Sequence, residues 1–183
     1  MASPLRVINA FRDRSSEDQK ISKHGIDVDD IVSDAVDSVF EEVTKSKTAS
    51  VDLESWKKIF KSLKENIPKK IADSLQKFLS PFFESSSYSD KAKIQSKALE
   101  FTSKLRDRIS EKIDVKDLFS AFRESPVRFS EEALKTREKI KKDLARALKP
   151  LEETSLEEAI QTSKQPTLYS AFKTWSDRVL RAM

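Results

Sequence analysis

His24 is the single histidine of this 183-residue sequence, and there is no cysteine. A nucleophile–histidine–acid relay, a histidine metal cluster or a glutamate–histidine di-iron pair would each have to run through that one imidazole. Thiolate chemistry, disulfides and cysteine-ligated clusters are excluded outright. His24 sits beside Gly25 in a polar stretch, where a solvated loop histidine is expected. Gly25 is the only glycine, and phosphate-cradling loops need at least two. Residues 27–38 (DVDDIVSDAVDS) are acidic like a calcium loop, but an EF-hand needs glycine at its sixth position and glutamate at its twelfth. Those positions hold Val32 and Ser38. Glu152 and Glu153 have the chemistry for acid–base work, yet nothing around them in the sequence sets them apart from ordinary surface. The expectation is a non-catalytic chain with no cofactor and no metal.

The residues that do form a pattern are charged. Asp30, Asp34, Asp37 and Glu41 recur at i, i+4, i+7 and i+11, which is one face of a helix, and no lysine or arginine interrupts them. Lys57, Lys61 and Lys64 form a basic line that Lys69 and Lys70 extend. Lys135, Lys139, Lys142, Arg146 and Lys149 form a second, with Arg137 and Lys141 near it. Charge runs of this kind are most often the solvated backs of amphipathic helices. As functional surfaces they have two uses. Opposite faces can pair between copies or with a larger partner, which fixes register and orientation. Alternatively, the lysines can make non-specific phosphate contacts with nucleic acid. Against the second use, no aromatic residue interleaves with the basic lines to stack on bases. Trp56, Phe60, Phe101, Phe122, Phe172 and Trp175 fall on apolar faces and are expected in the core.

The elements that carry these faces are helices. Ser3-Pro4 is a helix start, serine as cap and proline at the first position. A short amphipathic helix is expected over residues 4–14, with Leu5, Val7, Ile8 and Phe11 as a docking surface beside Arg6, Arg12 and Arg14. The polar residues 15–25 read as a linker, which makes the first helix an arm. Val28, Ile31, Val32, Ala35, Val36, Val39, Phe40 and Val43 repeat at the spacing of one buried face. Ser50 is expected to cap a helix burying Leu53, Trp56, Ile59, Phe60 and Leu63, interrupted at Asn66-Ile67-Pro68 because a residue before proline avoids the α region. Pro68 then opens a helix that Pro81 ends or kinks. The serine-rich residues 84–89 read as a loop. Helices are expected over 90–113, over 115–123, and from a Ser130 cap to Leu148, where Pro150 halts the last. Ser155 and Glu158 form a capping box for a short helix, and Pro166 opens the final one, with Leu168, Phe172, Trp175 and Val179 as its stripe.

Composition agrees with this plan. Hydrophobic residues make up 37% and charged residues 36%, too apolar for disorder and suited to helices with one buried face each. A single glycine argues against the tight turns and bulges of sheet proteins. The fold class expected is therefore all-α, a multi-helix bundle of about eight or nine helices behind a short N-terminal helical arm. The arm and linker occupy residues 1–26 and the bundle 27–183, with 84–90 as the junction if there are two halves. No apolar run reaches the roughly 20 residues that span a membrane. An intracellular, cytoplasmic chain is expected; the amphipathic N-terminus is also compatible with mitochondrial targeting. The function expected is that of a structural or scaffolding subunit assembling with its own copies or in a larger complex. A nucleic-acid-binding component and an adaptor for one protein partner are the alternatives.

Overall fold

The computed structural model describes residues 26–45, 53–84, 88–154, 156 and 167–183. Helix accounts for 92% of them, with no strand. In chain order the elements are α1 (Val28–Lys45), α2 (Leu53–Lys61), a π-helical turn (Ser62–Asn66), α3 (Ile67–Glu84), α4 (Tyr88–Lys112), α5 (Lys116–Glu124), α6 (Pro126–Ala147), the single turn α7 (Pro150–Glu153) and α8 (Leu168–Ala182). Since α2, the π turn and α3 are continuous, six helices besides that single turn stand among the described residues, fewer than the eight or nine expected. The expected arm at residues 4–14, the cap at Ser50, the capping box of Ser155 and Glu158, and Pro166 lie outside the described residues.

The missing break at Asn66-Ile67-Pro68 has a local cause. Pro68 has no N–H and its ring crowds the carbonyl four residues back, so an α-helix should stop. Instead the backbone widens into a π-helical turn over Ser62–Asn66, and Lys61 (φ −60, ψ −45) and Ile67 (φ −62, ψ −53) both keep right-handed helical geometry. Wider turns are a standard way to absorb such a mismatch. Full burial of Leu63, Ile67 and Ile71 offsets the cost, each such side chain contributing about 1.5–3 kcal/mol. Pro81 likewise does not end its helix, which runs on to Glu84; its missing N–H removes the one intrahelical bond to the Lys77 carbonyl.

Two other starts differ from expectation. Helix α6 begins four residues before Ser130. Ser125 is extended (φ −170, ψ 161), its Oγ accepts the N–H of Arg128 at 3.1 Å, and Pro126 takes the first helical position. Ser130 instead donates its hydroxyl to the Pro126 carbonyl. In α8 the cap is Thr167, whose Oγ1 accepts the Ser170 N–H at 3.1 Å.

The chain forms two compact units. One is drawn from residues 26–28, Asp73–Leu105 and Leu148–Met183; the other from Asp29–Ala72 and Arg106–Ala147. The core of the first centres on Trp175, Phe101 and Phe172, with Leu75, Leu79, Ile94 and Val179 fully buried around them. In the second, α5 packs on α6 across the Ser125 corner, and Val36, Val39, Phe40, Leu118, Ile140 and Leu144 are buried. Every apolar position read on α1 is buried except Ile31, which is half-buried. Two positions read as core on α2 are not: Leu53 is 60% and Phe60 42% exposed. At 100° per residue, Trp56, Ile59 and Leu63 share one line, whereas Leu53 and Phe60 lie together on one flank of it. The apolar stripe of α2 is wider than its cover.

Candidate functional site

That uncovered flank is one wall of a groove in the second unit. Trp56 and Phe60 of α2, Lys64 of the π turn, Glu111 at the end of α4, the corner Ile113-Asp114-Val115, and Lys116 and Phe119 of α5 line a volume of about 520 Å³. The floor is aromatic. Trp56 lies 4.8 Å from Phe119, 5.5 Å from Phe122 and 6.3 Å from Phe60, ring centroid to centroid and all tilted, which is the favoured range for aromatic pairs. Phe122 continues the cluster edge-on to Phe129 at 5.6 Å. On its outer side Phe119 carries the Arg123 guanidinium 5.8 Å from its centroid, within cation–π reach.

The groove's shape is fixed by polar contacts at its rim. Lys64 Nζ donates to the Ser110 carbonyl at 2.8 Å, beside the Ile113 N–H that the same oxygen accepts at 3.2 Å, and so places a cation at the negative end of α4. Asp114 Oδ1 accepts the Lys116 N–H at 3.1 Å, capping the start of α5, and Oδ2 lies 3.7 Å from Lys139 Nζ. The bond from the Lys116 backbone, with Lys139 behind it, holds the Asp114 carboxyl below its ordinary value against a smaller opposing effect of burial. Glu111 and Lys116 are exposed. The trough thus combines an aromatic floor with a rim of both signs. Among the described residues no group of three or more acidic or histidine side chains is gathered to hold a metal ion. Glu152 caps a helix, accepting the Val28 N–H at 2.9 Å.

The charged faces divide. Of the acidic line on α1, Asp34 and Glu41 are exposed and Asp30 is half-buried. Asp37 turns inward. Arg137 places Nε and Nη2 each 2.6 Å from its Oδ1, and Lys141 Nζ is 2.6 Å from the same oxygen. Burial alone would raise the Asp37 carboxyl; the hydrogen bonds and charges of Lys141 and Arg137 outweigh it and hold the group below its ordinary value. Thus α1 meets α6 through the two cations beside the basic line. The line itself, Lys135, Lys139, Lys142 and Arg146, is exposed along α6, and only Lys139 has an ion pair among the described residues. Lys149 lies beyond the helix, exposed. On the other basic face Lys57 pairs with Glu54 at 3.5 Å, Lys61 and Lys69 are exposed, Lys70 is half-buried, and Lys64 is engaged at the groove. The arm residues Leu5, Val7, Ile8 and Phe11 are outside the described residues.

Sequence reasoning did not find the groove. Phe119 reads as one more apolar residue of α5, and the corner 113–115 carries no motif. The signal that was present is the width of the α2 stripe, with Leu53 and Phe60 seven residues apart on the same flank. Among the described residues no helix is long and apolar enough to cross a membrane. Comparison with protein families, curated proteins and solved structures finds no match to any of them.

Proposed function

We propose that this chain acts without catalysis, as a helical subunit that assembles with its own copies or within a larger complex through the aromatic groove of its second unit. The observation that carries this is Phe60, left 42% exposed over a floor of Trp56 and Phe119. A large aromatic at the edge of a preformed trough is the composition of an interface anchor. Charge pairing is the weaker basis for assembly, because Asp37 is already satisfied by Arg137 and Lys141 of the same chain.

Phe60→Glu puts a charge where an apolar contact forms. The association constant is expected to fall at least about 30-fold, the loss of one interface anchor, read as a drop in mass by light scattering at fixed concentration. Helicity by circular dichroism should stay unchanged, since Phe60 is at the surface. An unaltered mass would refute the groove as the assembly surface. A foreign protein partner in place of self-association would show as a monomer that gains mass only with that partner.

A second reading has its own observation: the exposed line Lys135, Lys139, Lys142 and Arg146, about 16 Å long at the helical rise. Four such cations on duplex DNA give a slope of about −3.6 in log affinity against log salt. Titrating labelled DNA and RNA over increasing salt measures this directly, and no binding at low salt removes the reading.

A further inference from the structure

We infer that the groove receives the N-terminal segment, residues 4–14, of a second copy; this rests on the assembly proposed above and names the occupant. The groove asks for a short element with apolar side chains along one side and charge at its edges. Residues 4–14 answer that description. Wound as a helix they place Leu5, Ile8, Phe11 and Val7 within one arc, with Arg14 at its Val7 edge and Arg12 just inside its Leu5 edge. An amphipathic helix in an apolar groove, held by anchors three and four residues apart, is a recurrent recognition mode.

Charge favours the same occupant. The segment carries Arg6, Arg12 and Arg14 against the single acid Asp13. At the groove's rim Glu111 is exposed and has no ion pair among the described residues. Of the two rim cations Lys64 is bound to the Ser110 carbonyl and Lys116 is exposed, so Glu111 is the rim position that an arginine can pair with. Chain length permits exchange between copies. Residues 15–25 join the segment to the described chain, and eleven residues reach up to about 36–40 Å when extended. A tethered segment that leaves its own copy and docks on another links subunits head to tail or in reciprocal pairs, according to symmetry.

Full-length chain with Phe11→p-benzoylphenylalanine, mixed with ¹⁵N-labelled wild type and irradiated, tests this. Cross-links joining a light arm to heavy peptides from residues 53–61 or 113–119 are expected. Cross-links to those peptides within light chains alone would mean that each arm sits on its own copy, and cross-links only elsewhere would mean that the groove takes something else; either overturns the inference. Ile8→Glu in the full chain gives a second readout. It should weaken association about as much as Phe60→Glu, roughly 30-fold, and the double variant should be no weaker than either single one. If Phe60→Glu dissociates the assembly while Ile8→Glu does not, the groove reading stands and the arm is excluded. If neither alters the mass, the assembly reading itself falls.

Discussion

Trp175→Ala is expected to lower the stability of the chain by about 3–5 kcal/mol, the usual cost of removing a fully buried large aromatic. Trp175 has 0% exposure and sits against Phe101 (5.3 Å) and Phe172 (5.8 Å), which themselves meet edge-on at 6.2 Å. Its indole N–H also donates to the Thr154 carbonyl, joining α8 to the turn after α7. Alanine leaves a cavity among three helical segments and strands that carbonyl without its donor. Trp175→Phe separates the two effects: most of the ring packing returns while the hydrogen bond does not, so its loss should be clearly smaller. Urea denaturation followed by circular dichroism measures both. A loss below about 1 kcal/mol for the alanine variant would mean that this cluster is not the core of the first unit.

Asp37→Asn is expected to cost about 1–3 kcal/mol at neutral pH, between the values for exposed and fully buried pairs, because the site is half-buried. The amide keeps the shape but leaves Arg137 and Lys141 facing a neutral group. The pH dependence follows from the direction of the carboxyl's shift. Its value is lowered in the folded chain, so the unfolded state takes up protons first as pH falls. The stabilisation is therefore fully present above about pH 4, the ordinary aspartate range, and is lost as pH falls through the lower folded value. Wild type and Asp37→Asn should differ most near neutrality and converge in strong acid. A difference that is constant with pH would show that the carboxylate charge has no part in it.

These two sites show what a sequence of this kind discloses. The buried stripe of α8 was legible because Phe172, Trp175 and Val179 recur at helical spacing, and the all-helical class was legible from that periodicity and a single glycine. The end of α6 at Ala147 was readable from Pro150 just beyond it, whereas its start was misplaced at Ser130 although Ser125 and Pro126 supply both a cap and a first-turn proline. A break was misread where a tertiary contact overrides local preference: Ile67 and Pro68 stay helical because Leu63, Ile67 and Ile71 are buried together. The charged lines were visible along single helices. Which of them face one another was not, because Asp37 and Arg137 are 100 residues apart and nothing local records that meeting. The groove was hidden for the same reason, since its walls come from α2, the end of α4 and α5 and converge only through packing.

The central claim is that assembly rests on apolar contact at the groove and not on pairing of charged faces. The most direct test is the mass of the wild-type chain by light scattering at several salt concentrations. At about 1 M salt the screening length falls to ~3 Å, so charge pairing between copies is suppressed while apolar contact persists. An oligomer of the 20.9-kDa chain that keeps its mass from low salt to high is expected. A monomer at every salt concentration would exclude assembly between copies, and an oligomer that falls apart as salt rises would contradict the claim.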